Sequence, residues 1–193
     1  MADMIKILGI AGSLRKGSYN QAALRAALEL VPEGAEIDIY DIDGFPGFNQ
    51  DLDQSPPAKV IEFKQKIREA DAILISSPEY NYSIPGVLKN AIDWASRPYG
   101  DSAWDGKPAA IMGASPGAVG TARMQYHLRQ VMVFLNMFPL NKPEVMIGHC
   151  ADKFDSNGTL IDENTKEYLR KMLQALADWT VRLKGKQDSA QAN

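Results

Sequence analysis

The sequence predicts a three-layer α/β fold built on a five-stranded parallel sheet, and three observations predict it. Short apolar runs rich in β-branched residues alternate with longer amphipathic stretches, the pattern of successive β-α units. Pro57 and Pro85 stand where the first turns of two helices are expected, a position in which proline costs no hydrogen bond. The chain of 193 residues fits one domain with a sizeable core and leaves no room for a second.

Taken in order, the apolar run 5–11 predicts the first strand and the amphipathic stretch 20–30 the first helix. Residues 36–41 read as a second strand, 57–70 as a helix opened by Pro57, and 72–77 as a third strand with an apolar core of Ala72, Ile73, Leu74 and Ile75. Pro85 opens a helix over 85–96, followed by a strand over 108–114, a helix over 121–135, a fifth strand over 144–148 and a helix over 163–184. Five strands is the count of a flavodoxin-like sheet. Residues 185–193 are polar and read as a disordered tail.

Composition excludes several function classes. Hydrophobic content of 45% and charged content of 23% are those of a soluble globular chain. A net charge of −3 argues against a broad nucleic-acid surface. Cys150 is the only cysteine, so neither an intrachain disulfide nor a thiolate metal cage is expected. No apolar run approaches the ~20 residues needed to span a bilayer, and residues 1–6 lead into the first strand without a signal-peptide pattern. A cytoplasmic protein with no membrane partner is the expectation.

Ligands of an open doubly wound sheet bind beyond the carboxyl ends of the strands. Three loops at such ends are chemically unusual. The first, 12–20, gathers Ser13, Arg15, Ser18 and Asn20 ahead of a helix start, a set suited to an anion. Gly12 and Gly17 are spaced as in a nucleotide-triphosphatase P-loop, but Ser18 stands where that motif requires Lys. Neither is there a G-x-G-x-x-G dinucleotide fingerprint, since no glycine follows Gly12 until Gly17. A monophosphate site or an ordinary polar turn remains.

The second loop, 76–86, combines Tyr80, Asn81, Tyr82 and Ser83 between Pro78 and Pro85, giving faces to stack on a heteroaromatic ring and polar groups to match its edge. This suits a flavin, although a proline-bracketed turn with surface tyrosines would also carry these residues. The third loop, 114–120, is small and allows close backbone approach, or is simply a tight connection. Loop 42–55 reads as a surface cover, and Trp104, between Ser102 and Gly106, as a residue that could cover a site. Trp94, Trp179, His127 and His149 read as structural, and 152–158 as a turn whose spacing misses a calcium loop.

The stretches 12–20, 78–86 and 88–94, with 122–130 and 141–144, resemble the NAD(P)H-dependent FMN reductases, and the bacterial quinone and chromate reductases in particular. The likeness covers nearly the whole chain. It implies a flavodoxin-like sheet of order 2-1-3-4-5, a single FMN-binding domain over 1–184, a bound FMN, NADPH or NADH as co-substrate, and a homodimer or a dimer of dimers. By position it implies that Ser13, Arg15, Ser18 and Asn20, with Gly17 and Tyr19 in the same loop, hold the FMN phosphate. Pro78, Glu79, Tyr80 and Asn81 would line the isoalloxazine and Ser115 would border it, while Arg123, Tyr126 and Glu144 would form a network between subunits.

The resemblance also implies electron transfer from NAD(P)H to quinones, chromate or related small acceptors by ping-pong kinetics. No catalytic side chain is expected, because the flavin itself carries the chemistry. A flavodoxin-type electron carrier, or an FMN-binding regulatory module without a nicotinamide site, is the alternative.

Overall fold

The computed structural model describes residues 4–191. Its strands are β1 (Ile5–Ala11), β2 (Ala35–Tyr40), β3 (Ala72–Ser76), β4 (Pro108–Ala114), β5 (Phe138–Pro139) and β6 (Val145–Ile147), all paired in parallel. The order β2-β1-β3-β4-β5 is the one expected, with β6 also pairing β4. Six strands replace the five expected because the fifth position is broken in two. β5 lies beside Pro108 and Ala109, β6 beside Met112, Gly113 and Ala114. Between them the chain leaves the ladder around Lys142 and Pro143, where proline has no N–H to donate.

Helices α1 (Tyr19–Leu30), α2 (Ala58–Glu69), α3 (Gly86–Ala95), α4 (Ala122–Phe134) and α5 (Glu163–Gln191) complete the fold. Each starts close to its expected position, but α5 runs on through 185–191, where the sequence predicts a tail. Only Gly185 interrupts helix-forming residues there, at a cost of about 1 kcal/mol, and no proline stops the helix. The last two residues of that expected tail lie outside the described residues.

The strands alternate between two cores. Ile7, Leu74 and Met112 pack with Leu24 of α1 and Leu173 of α5 on one face. Leu8, Ile73 and Ile111 pack with Phe63 of α2, Leu88 of α3 and Leu128 of α4 on the other. Neighbouring residues of one strand thus serve opposite layers, the period of two that a β-strand imposes.

One expectation about the connections changes and another gains a partner. Trp104 covers no site: it is 1% exposed, donates its indole N–H to Ile92 O at 3.1 Å and meets Phe63 edge to face. Ala103 N donates to Ala95 O at 2.9 Å, folding the loop back against α3 and carrying the indole inward. Loop 42–55 is a cover, and what it covers is α3. Pro46 O accepts from Trp94 Nε1 and Asn90 Nδ2, while Phe48 N donates to Asn90 Oδ1 at 2.7 Å.

Candidate functional site

The ends of β1, β3 and β4 lie side by side, so the three loops that follow them meet in one region. Gly12 N donates to Ser76 O at 2.8 Å and Ser77 N to Met112 O at 3.1 Å, stitching the first loop to the second and the second to β4. Glycine is required at two of these crossings. A Cβ on Gly12 would collide with the Ser77 side chain, and one on Gly113 with both Ser77 O and the Thr121 hydroxyl. The floor of the site is therefore set by backbone against backbone.

In the first loop Ser18 is the N-cap of α1. Its Oγ accepts from Asn20 N at 3.2 Å and Gln21 N at 3.5 Å and keeps its own O–H proton to donate. Such a cap contributes about 1 kcal/mol to the helix. Ser13 is buried, its Oγ accepting from Arg15 N at 3.4 Å and its carbonyl from Gln21 Nε2 at 3.0 Å. Arg15, Lys16 and Gly17 are exposed, with the Arg15 guanidinium 5.5 Å above the Tyr19 ring. Two cations, Arg15 and Lys16, with two hydroxyls and the amides of a helix start form a chemically suitable seat for a monophosphate.

Asn20 has a different place from the one expected. Its Oδ1 accepts from Ala114 N at 2.8 Å and from the Ser76 hydroxyl at 3.3 Å, and its Nδ2 donates to Ala114 O at 3.0 Å. The amide is a buried strut joining α1 to the ends of β3 and β4, and it leaves one N–H for an anion.

In the second loop Tyr80 and Ser83 exchange backbone hydrogen bonds at 3.1 and 2.9 Å around Asn81 and Tyr82. Both central residues have positive φ, 51° and 64°, which makes this a hairpin turn of the primed kind without glycine. Each such residue costs on the order of 1 kcal/mol and persists only where its surroundings enforce it. The turn presents Tyr80, Asn81 and Tyr82 to solvent.

Glu79 has a structural duty that sequence reasoning missed. Its carboxylate, 8% exposed, accepts from the Arg123 and Met124 amides at 3.0 and 3.1 Å and from Arg123 Nη1 at 2.9 Å. Thr121, the residue before α4, provides no side-chain cap, and Glu79 supplies one from the neighbouring loop. The side chain expected to line a ring is thus turned into the protein. Arg123 is held within its own chain by Glu79, and its guanidinium lies 4.0 Å from the Tyr82 ring centroid.

The third loop is tied to β6 through Ser115 N, which donates to Ile147 O at 2.9 Å. Ser115 Oγ accepts from Gly117 N at 3.2 Å, and Ser115 O accepts from the amide of buried Cys150. Burial pushes the Cys150 thiol up, against the pull of nearby Arg15. Further along α4, the neighbouring Glu144 carboxylate raises the Tyr126 phenol. Gln21 and His127 also belong to the site's framework. The amphipathic pattern places both on helices but does not indicate which loop they touch.

A phosphate-sized loop, an aromatic hairpin and a small-residue loop at the switch of a 2-1-3-4-5 sheet define a flavin-binding type of α/β protein. The sequence profile of the family "NADPH-dependent FMN reductase" matches residues 5–152, and the chain belongs to that family. It is an oxidoreductase with FMN as cofactor and NAD(P)H as co-substrate. It is 57% identical over 187 residues to an NAD(P)H-dependent FMN reductase of Pseudomonas aeruginosa, covering 96% of this chain and 100% of the relative. It is 50% identical over 190 residues to an NAD(P)H:quinone oxidoreductase of Solanum tuberosum, covering 95% and 96%. Among solved structures, the flavoenzyme NAD(P)H:(acceptor) oxidoreductase FerB of Paracoccus denitrificans superposes with a TM-score of 0.85 at 36% identity, covering 92% of this chain and 98% of that one.

Proposed function

We propose that this enzyme takes electrons from NAD(P)H and delivers them to quinones, with chromate among further small acceptors, from FMN seated across the three loops. The observation that carries this reading is the pairing of an anion seat at one strand end with an exposed aromatic hairpin at the next. Similarity to quinone oxidoreductases supports the acceptor class. FMN, when bound, supplies hydride acceptance and release of electrons singly or in pairs.

The protein's own residues bind and orient. Arg15, Ser13 and Ser18, with the amides near Gly17 and Tyr19, hold the phosphate, and Asn20 contributes at most its one remaining N–H. Pro78, Tyr80 and Asn81 line the ring and Ser115 borders it. Glu79 fixes the loop rather than touching the ring. The N–H groups of Asn81 and Tyr82, without partners among the described residues, offer fixed dipoles toward developing negative charge at the ring edge. Donor and acceptor take turns beside the exposed hairpin. Residues 1–184 form the FMN-binding domain and the protein works in the cytoplasm; among the described residues no helix is long and apolar enough to cross a membrane.

Self-association is part of the proposal. The outward side of α4 exposes Tyr126, Val133 and Phe134, with Val133 and Phe134 together near its C-terminal end. This face supports a dimer or dimer of dimers, with Tyr126, Arg123 and Glu144 contributing polar groups to the contact.

The test mixes FMN-loaded protein with NADPH under anaerobic conditions, then adds a benzoquinone. Flavin absorbance bleaches and recovers, and steady-state double-reciprocal plots are parallel. A protein that binds FMN but never oxidises NADPH or NADH is an electron carrier or regulatory module instead.

A further inference from the structure

Two residues of the hairpin, Asn81 and Tyr82, hold left-handed backbone conformations that side chains disfavour. Asn tolerates this conformation, so Tyr82 is the residue that needs support from outside the turn. Glu79 anchors the loop's entrance on the first turn of α4 through Arg123 and Met124. A second tether holds its exit: Ser83 Oγ and His127 Nδ1 lie 2.9 Å apart. His127 follows Arg123 by four positions and Met124 by three, so the anchors share one side of α4 and are a turn apart. The hairpin is therefore pinned along the helix at both ends.

We infer that His127 is a positioning residue of the flavin site, acting through Ser83 to hold Tyr80 and Asn81 in the pose that receives the ring. The inference deepens the proposed function and rests on it for its consequence at the flavin. His127 itself need not touch cofactor or substrate. Either tautomer serves, since the Ser83 hydroxyl both donates and accepts. An amide at the position of Nδ1 serves as well, so Asn replaces His here without loss of the tether.

The experiment compares wild type, Ser83→Ala, His127→Leu, His127→Asn and the double variant Ser83→Ala with His127→Leu. The first readout needs no cofactor: hydrogen exchange of the Tyr80 and Ser83 amides in the apoprotein. Loss of either partner speeds that exchange about 3- to 10-fold, the scale of one hydrogen bond, and His127→Asn restores it. The second readout is FMN affinity by fluorescence quenching. The two single variants each weaken binding about 3- to 10-fold, the double variant weakens it no further than the worse single, and His127→Asn stays within about twofold of wild type.

Unchanged amide exchange in the single variants overturns the tether, whatever the flavin does. Additive losses of FMN affinity in the double variant, or unchanged affinity in the singles, overturn the positioning role. A wild-type protein that binds no FMN while exchange responds as expected overturns the functional reading and the role at the flavin, and leaves the tether standing.

Discussion

Arg15, like its neighbour Lys16, is engaged by no carboxylate among the described residues, and it lies exposed beside Tyr19. Replacing it by Ala removes a charge-assisted hydrogen bond to the phosphate and should weaken FMN about 10-fold or more, measured by fluorescence titration. Unchanged affinity would remove Arg15 from the phosphate site. Glu79 is a different case, because its carboxylate satisfies two helix amides and a guanidinium. Glu79→Ala should lower stability by about 1–3 kcal/mol in urea unfolding and also loosen FMN, whereas Glu79→Gln, which keeps one acceptor oxygen for the two helix amides but loses the acceptor for the guanidinium, should recover part of both. The types of these residues are legible in the sequence, but their partners are not. Asn20 bonds to residues 56 and 94 positions away, so no local pattern distinguishes a strut from a phosphate ligand. Trp104 misleads for the same reason, since Ile92 and Phe63 decide its place.

Among elements, the strands with continuous apolar runs are the most legible. β1 and β4 match their expected bounds because burial on both faces leaves an unbroken hydrophobic signal. β5 is invisible because two residues ending in proline carry no periodicity. Helix α5 is preceded by Asp162, whose Oδ2 accepts from the Thr165 hydroxyl at 2.7 Å and the Thr165 amide at 2.9 Å. These two bonds hold its carboxyl below the ordinary range. A carboxyl depressed in the folded state stabilises fully above its unfolded pKa, and that contribution is lost as pH falls through the depressed folded value. Thermal melts of wild type and Asp162→Ala should therefore differ at neutral pH and converge in acid. A gap that stays constant down to strongly acidic pH would deny Asp162 this capping role.

For the molecule as a whole, the outward face of α4 is the surface that burial within one chain leaves unexplained. Val133 and Phe134 are adjacent and 79% and 72% exposed. Charge at both positions, Val133→Glu with Phe134→Glu, should shift sedimentation toward monomer with the fold intact by circular dichroism. Sedimentation identical to wild type would place the subunit contact elsewhere or leave the chain monomeric. The layered α/β architecture and the meeting of three loops at one edge were legible because alternation of elements fixes where strand ends fall. How the loops lock together was not, since it depends on contacts between backbones from three separate strands.

That lock has a practical meaning for anyone redesigning the enzyme. Gly12, Ser77 and Gly113 occupy one another's space, so substitutions there must be made in concert and single changes meet a neighbour at once. Libraries aimed at new acceptors belong on the rim, at exposed Val119 and at Gly117, where an added Cβ meets only Ser115 Oγ at 3.7 Å. Variation will accumulate at the mouth while the base stays frozen.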